Sequence, residues 1–138
     1  MSYIHNVQYY ETDKMSITHH SNYIRWMEEA RLDFLKRSGW DYAKLEDEGI
    51  ISPVLSVSCD YKKATTYPDT ISIDVAVKEF KGVKLFLSYV MKNEEGTVVC
   101  TGTSSHCFLN AEGRPISMKK DYPEFFETLN DLIDKESK

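Results

Sequence analysis

The repeat of apolar residues changes from helical spacing to strict alternation near residue 52, and that change limits the folds available to this chain. After it, apolar and polar residues alternate with the period of a half-buried strand, most regularly from Ile71 to Lys78. Before it, one apolar stripe at helical spacing runs through the segment 24–36 and includes Tyr23, Met27, Ala30 and Phe34. The chain therefore predicts one long helix followed by consecutive strands.

Turn residues divide the alternating region into four predicted strands, 52–61, 71–78, 85–91 and 98–109, with links of hairpin length. The segment 4–10 predicts a fifth strand, and an amphipathic pattern predicts a C-terminal helix at about 121–134. Hairpin links make a sheet antiparallel, and its apolar face needs the long helix as a cover. We expect one α+β domain over residues 1–138, with a core at about 4–119 in which a five-stranded antiparallel sheet wraps around the helix.

The composition excludes several classes of function. The net charge of -5 and the pI near 5.4 argue against a nucleic-acid-binding surface, which brings an excess or a stripe of lysine and arginine. No segment approaches the ~20 apolar residues that span a bilayer, and no basic start precedes an apolar run, so we expect a cytoplasmic protein without membrane contact. Three cysteines without a Cys-x-x-Cys spacing predict reduced thiols rather than disulfides or a structural zinc.

A carboxylate and a histidine pair lie in one segment, residues 9–23, at the start of the helical pattern. The first N–H groups of a helix have no partners within it and carry partial positive charge, so they can polarise a carbonyl oxygen. Asp13 beside such a helix start would supply the carboxylate of an acyl-transfer site. The plainer interpretation of an aspartate in a loop is a turn or cap residue. The pair His19-His20 matches no usual set of metal ligands.

Several motifs resemble those of one enzyme family. They are Tyr10-x-x-Asp13, the run from His20 to Arg31, His106-x-Phe108 and Gly113-Arg114-Pro115. Over residues 4–119 the chain resembles the hotdog-fold acyl-CoA thioesterases of the 4-hydroxybenzoyl-CoA thioesterase type. The resemblance implies hydrolysis of an acyl-CoA without a metal or other cofactor. It also implies a homodimer or a dimer of dimers, with the active site at the subunit interface.

The resemblance assigns roles to individual residues. The aspartate that matches Asp13 is the catalytic carboxylate, acting as nucleophile or as general base on water. The backbone N–H that matches His20 polarises the thioester carbonyl, and the His20 ring could also orient the carboxylate or the water. We expect further substrate contacts from Asn22 and Tyr23 at the helix start, and contacts to CoA phosphates from Lys62 and Lys84.

Three further residues have a structural interpretation, and two of them also have a functional one. Tyr23 lies on the apolar stripe and so belongs to the core, although a helix end that borders a pocket serves both purposes. Glu28 is either a second acid–base group or a solvated partner of the helix dipole. His106 shares a strand face with small and apolar residues, and we expect a hydrogen-bonded structural histidine there.

One departure from the family concerns the loop between Asp13 and the helix. Relatives often carry glycine where this chain has Met15 and Ser16. A positive φ at either residue would cost roughly 1 kcal/mol or more, so the path of the loop and the acyl pocket are open to change.

Other functions remain compatible with the sequence. A thioesterase of this kind could take its acyl group from an acyl-carrier protein instead of CoA. A non-catalytic acyl-CoA-binding module would keep the pocket without using Asp13 for chemistry. A scaffold that only dimerises through a sheet edge would bind no CoA ester at all.

Overall fold

The computed structural model describes residues 2–136. Five strands form one antiparallel sheet: β1 Ser2–Asn6, β2 Val54–Tyr61, β3 Thr70–Phe80, β4 Lys84–Lys92 and β5 Val98–Cys107. Four helices accompany it: α1 Ser21–Arg37, α2 Tyr42–Asp47, α3 Met118–Asp121 and α4 Pro123–Glu136. A 3₁₀ turn, Tyr9–Glu11, follows β1. The sheet and the long helix α1 agree with the expectation from the sequence.

The strand order β1-β3-β4-β5-β2 departs from the order of the chain for one strand. Hairpins join β3, β4 and β5, as the short links predict. The interpretation of β2 as the hairpin neighbour of β3 is wrong, because β2 pairs with β5 at the far edge of the sheet. The other side of β3 is taken by β1. Residues 62–69 therefore connect one edge of the sheet to an inner strand.

β1 is shorter and begins earlier than expected, covering Ser2–Asn6 rather than residues 4–10. Val7 N–H still donates to Asp69 O, but the chain then enters the 3₁₀ turn. The sequence predicts a strand that extends too far because Tyr9 and Tyr10 favour strands, although both side chains are exposed in the turn. The end of β1 is therefore set by the turn and not by the periodicity.

α1 packs on the sheet through the predicted stripe. Tyr23, Met27 and Ala30 are buried, as is Trp26 beside them. Gly102 on β5 lies close to both α1 and β2. A Cβ atom there would lie 2.9 Å from Ser58 O and 3.0 Å from Met27 Cε. The missing side chain thus leaves room for Met27 of α1 above this point of the sheet.

Aromatic side chains attach the C-terminal helix α4. The ring of Phe125 packs against Trp40, Phe80 and Phe108, with ring centroids 5.3, 5.8 and 5.5 Å away. α4 begins and ends within two residues of the predicted helix. Among the helices of residues 2–136, none is long and apolar enough to cross a bilayer.

Gly102→Ala is expected to lower the free energy of unfolding by about 1–3 kcal/mol, because the added methyl must displace a backbone carbonyl or the Met27 side chain. Urea unfolding followed by circular dichroism measures the difference. Thr101→Ala on the same strand adds no atoms and serves as the control. An equal loss in both variants would contradict the packing argument.

Candidate active site

Asp13 lies in a short loop that closes on itself before α1. An isolated bridge joins Thr12 and Thr18, and Asp13 N–H donates to Ile17 O at 2.9 Å. Asp13 Oδ1 accepts the Met15 N–H at 2.8 Å, while Oδ2 accepts no hydrogen bond from residues 2–136. One oxygen of this half-buried carboxylate therefore holds the loop, and the other is unengaged.

Ser16 adopts the left-handed backbone conformation, with φ of 65°. This region costs a residue with a Cβ atom about 1–2 kcal/mol. Ser16 N–H donates to Asp13 O, and Ser16 O accepts the Thr66 hydroxyl at 2.6 Å. The strain expected for a non-glycine residue in this loop is therefore present, and these two hydrogen bonds hold it in place.

The carboxylate of Glu11 is buried next to the loop, with only 6% of the residue exposed. Its Oε1 accepts the Gln8 N–H at 2.7 Å and lies 2.9 Å from His5 Nε2. Its Oε2 accepts the indole N–H of Trp26 at 2.8 Å. The side chain therefore ties β1, the 3₁₀ turn and α1 to one point.

Burial on its own raises the pKa of Glu11. Hydrogen bonds from Gln8, Trp26 and His5 outweigh that effect, so the pKa lies below its ordinary value. The charged carboxylate is thus the form that the fold stabilises.

The backbone oxygen of Glu11 closes the other side of the loop. It accepts the His19 N–H at 2.8 Å and Asn22 Nδ2 at 3.0 Å. Asn22 Nδ2 also donates to His19 O at 3.2 Å. Asn22 is thus a buried residue that positions the loop, and its expected contact with substrate stays a prediction.

The start of α1 carries an unengaged donor. No side chain caps this end of the helix, at His20. Ser21 N–H donates to His19 Nδ1 at 3.3 Å, whereas His20 N–H makes no hydrogen bond within the described part of the chain. A helix of 17 residues adds partial positive charge at this end. His20 N–H is therefore available to a carbonyl oxygen.

The ring of His20 is exposed and packs on other rings. It stacks on His19 at 4.3 Å between centroids and meets Tyr61 at 6.2 Å. The Tyr61 hydroxyl donates to His20 O at 3.4 Å, so the end of β2 lies beside the helix start. No hydrogen bond joins the His20 ring to Asp13, and its expected role in orienting the carboxylate stays a prediction.

Tyr23 is a core residue with a fixed hydroxyl. Its OH lies 2.9 Å from Thr65 Oγ1, which in turn lies 2.6 Å from Thr18 Oγ1. The Tyr23 ring also contacts Tyr61, with centroids 5.1 Å apart. Only 3% of Tyr23 is exposed, so within one chain Tyr61 presents far more aromatic surface to a ligand.

Lys62 and Lys84 lie at opposite ends of the sheet. Lys62 follows Tyr61, which pairs with Cys100 on β5, whereas Lys84 pairs with Cys107. Seven residues of strand, about 23 Å, separate these two points. Lys62 is thus the lysine near the helix start, and one chain does not bring the two lysines together.

Three residues of this site were not identified from the sequence: Glu11, Tyr61 and Thr65. Glu11 stands inside the motif between Tyr10 and Asp13, but a glutamate in a loop gives no sign of burial. Tyr61 and Thr65 reach the site only through the position of β2 in the sheet. Among the described residues, no group of three His, Cys, Asp or Glu side chains is arranged to hold a metal ion.

Glu11→Gln is expected to lower the free energy of unfolding by about 1–3 kcal/mol at neutral pH, because the amide NH₂ would face a buried donor. Since the folded pKa is lowered, the charge stabilises the fold above the ordinary pKa of 4.5, and this contribution is lost as the pH falls through the folded value. Chemical unfolding from pH 7 to pH 3 measures the gap between variant and native protein. Glu46→Gln, exposed on α2, is the control. A gap that does not shrink in acid would contradict the assignment.

Comparison with known proteins agrees with the fold. The family model described as the Thioesterase-like superfamily matches residues 7–128. The protein YneP of Bacillus subtilis, whose name assigns it provisionally as an acyl-CoA thioesterase, is 34% identical over 120 residues. That match covers 86% of this chain and 87% of YneP.

Solved thioesterase structures have the same architecture. A DHNA-CoA thioesterase from Staphylococcus aureus superposes with a TM-score of 0.93 at 31% identity, over 99% of this chain and 94% of that one. The gentisyl-coenzyme A thioesterase BH1999 gives a TM-score of 0.79 at 25% identity, over 85% and 94% of the two chains. These structures confirm the predicted hotdog fold. The chain belongs to the thioesterase-like superfamily and is a thioester hydrolase of the hotdog fold.

Proposed function

We propose that this protein hydrolyses an acyl-CoA to a free carboxylic acid and CoA, with Asp13 as the catalytic carboxylate. The observation that carries the proposal is an unengaged Asp13 oxygen and an unengaged His20 N–H in one loop and helix start. A carboxylate and a fixed N–H donor are the two groups that acyl transfer needs. The acyl-CoA thioesterase names of relatives support CoA as the carrier.

The reaction needs few groups because a thioester is an activated acyl compound. His20 N–H donates to the carbonyl oxygen and stabilises the negative charge that develops there. Asp13 either takes a proton from the attacking water, or attacks the carbonyl carbon itself to give an anhydride that water then opens. In both routes the C–S bond breaks, and the CoA thiolate leaves and takes up a proton.

The phosphates of CoA are assigned to Lys62. This lysine is exposed and follows Tyr61, whose hydroxyl donates to His20 O. An exposed ammonium group suits a mobile phosphate as a point charge. Contact between Lys84 and CoA stays a prediction. Within one chain, Lys84 lies at the opposite end of the sheet from the helix start.

Asp13→Asn is expected to lower kcat/KM at least ~100-fold, about 2.7 kcal/mol of transition-state stabilisation, because the amide can neither attack nor accept the proton. Thiol release from short, medium, long and aromatic acyl-CoAs measures the loss and identifies the acyl class. Asp47→Asn, exposed on α2, is the matched control with the same change of charge.

The outcome of that assay separates the proposed function from its alternatives. Turnover that is indifferent to Asp13 would overturn the mechanism. Tight binding of CoA esters without turnover would identify a non-catalytic acyl-CoA-binding module. Faster release of an acyl group from acyl-carrier protein than from CoA would identify the other carrier.

We further propose that two copies form a homodimer through β2. This edge strand of eight residues exposes apolar side chains. They are 38–49% exposed and belong to Val54, Leu55, Val57 and Tyr61. Such an edge can accept another strand, and a two-fold axis across it pairs β2 with itself in antiparallel orientation. The two sheets then become continuous.

Val57→Lys is expected to give a monomer, because Val57 lies on the α1 side of β2, where the second copy would bury the charge. Ser58→Lys is the matched control. The Ser58 hydroxyl contacts Thr103 Oγ1 on the opposite face of the sheet, which stays in solvent. Sedimentation velocity measures the mass of each protein. A native monomer, or a dimeric Val57→Lys variant, would contradict pairing through β2.

A further inference from the structure

A small hollow between α1, β2 and β5 contains polar side chains that the proposed mechanism does not use. Its volume is about 40 Å³. The polar side chains that line it are Glu28, Arg31, Tyr89, Ser104 and His106, and Met27 and Val57 are among its apolar walls. A volume of this size accommodates one functional group and not a ring. It is called the Arg31–His106 hollow below.

The side chain of His106 ends a chain of hydrogen bonds with one ring nitrogen left over. Tyr89 OH lies 2.7 Å from Ser104 Oγ, which lies 2.7 Å from His106 Nε2. The chain can run from Tyr89 through Ser104 to Nε2 or in the opposite direction, and both directions make the same two hydrogen bonds. In both cases His106 Nδ1 is buried without a partner, in a residue that is 1% exposed.

The ring of His106 is neutral at physiological pH. Burial, followed by the nearby charge of Arg31, lowers the pKa of His106 to about 4. The neutral ring has one N–H group and one acceptor nitrogen, so Nδ1 can pair with a hydroxyl group in either tautomer. It is a buried hydrogen-bonding atom without a partner.

Arg31 is a largely buried cation that lines the same hollow, with its guanidinium carbon 5.8 Å from the centroid of the Tyr42 ring. It is 5% exposed, and its guanidinium makes no hydrogen bond to the described residues. The nearest carboxylate oxygen is Glu28 Oε1 at 4.0 Å, which exceeds hydrogen-bond distance. Buried guanidinium groups are ordinarily paired with an acceptor. The hollow thus combines an unpaired buried ring nitrogen with a cation whose nearest carboxylate, Glu28, lies beyond hydrogen-bond distance.

In the proposed homodimer, the hollow lies close to the Asp13 loop of the second copy. Val54, at the start of β2, borders the hollow, whereas Tyr61, at the end of β2, contacts His20. These ends lie about 23 Å apart along one strand. In the proposed homodimer the two β2 strands are antiparallel, so the start of one lies beside the end of the other. Each hollow then lies next to the Asp13 loop of the other copy.

We propose that the Arg31–His106 hollow binds an oxygen atom at the far end of the acyl group and so selects acyl-CoAs that carry a hydroxyl or carboxylate there. The inference rests on the proposed function, since the thioester of the same substrate lies at Asp13 of the second copy. An acyl group without that oxygen leaves the buried His106 Nδ1 unpaired, which disfavours its transition state. Arg31 and His106 are therefore specificity-determining residues.

Two matched substrate pairs test the inference. Benzoyl-CoA and 4-hydroxybenzoyl-CoA differ by an aromatic hydroxyl, and hexanoyl-CoA and adipoyl-CoA differ by a terminal carboxylate. The native enzyme is expected to prefer the oxygen-bearing member of one pair by about 100-fold or more in kcat/KM. The pair that shows the preference identifies which oxygen group is bound.

Variants of Arg31 and His106 test whether that preference depends on the hollow. Arg31→Met and His106→Gln are expected to lower the ratio of kcat/KM within the preferred pair at least tenfold. His106→Asn is expected to keep much of the ratio, because its amide nitrogen takes the place of Nδ1. Purely structural damage would lower both members of the pair alike and leave the ratio unchanged, which would contradict a role in specificity.

The remaining outcomes distinguish this inference from the proposed function. Ready turnover of both members of both pairs at equal kcat/KM would overturn the inference and leave the thioesterase proposal standing. If no ester is hydrolysed, the proposed function fails. Calorimetry then measures the affinities of thioether analogues of the same pairs. Equal affinities within each pair would overturn the inference about the hollow, whereas a preference for the oxygen-bearing analogue that is lost in Arg31→Met would support it.

Discussion

The buried carboxylate of Glu11 is the contact on which the geometry of the Asp13 loop depends. A charge in the interior is tolerated only when it is fully hydrogen-bonded, and Glu11 meets that condition with donors from β1, the 3₁₀ turn and α1. Its backbone oxygen also holds His19 and Asn22 at the far side of the loop. Glu11 and Asp13, which are two positions apart, therefore have different roles. Glu11 uses its charge inside the protein, whereas Asp13 leaves one oxygen unengaged.

The other constraint on the site is the edge strand β2. Its last residue, Tyr61, contacts the helix start, and its first residue, Val54, borders the Arg31–His106 hollow. A two-fold axis across this strand would place the helix start of one copy beside the Arg31–His106 hollow of the other copy. In that arrangement one strand contributes to chemistry at one end and to substrate selection at the other. The polar groups of the hollow and the N–H of His20 are held by packing before any ligand arrives, which is the condition for strong electrostatic stabilisation.

The long helix and the five strands could be predicted from the sequence because each leaves a local pattern, whereas the catalytic role of Asp13 stays a prediction. Period two shows which face of a strand is buried, but it does not show which strand is the neighbour. That is why β2 was expected beside β3, and why Tyr61 and Thr65 were not connected with the site. The separation of Lys62 from Lys84 depends on strand register, which is equally invisible in one chain. Glu11 was missed because burial of an acidic side chain depends on donors that come from three separate elements.

The strand order has a consequence for how the site is assembled. β1, the Asp13 loop, α1, α2 and β2 follow one another in the chain, yet β1 and β2 are the two outer strands of the sheet. The strands β3, β4 and β5 join residues that are close in sequence, whereas Ser2 pairs with Asp74 and Val54 with His106. Contacts between distant residues close longer loops and form more slowly. The inner meander can fold as a local unit, but Asp13 acquires its surroundings only after both outer strands have closed onto it.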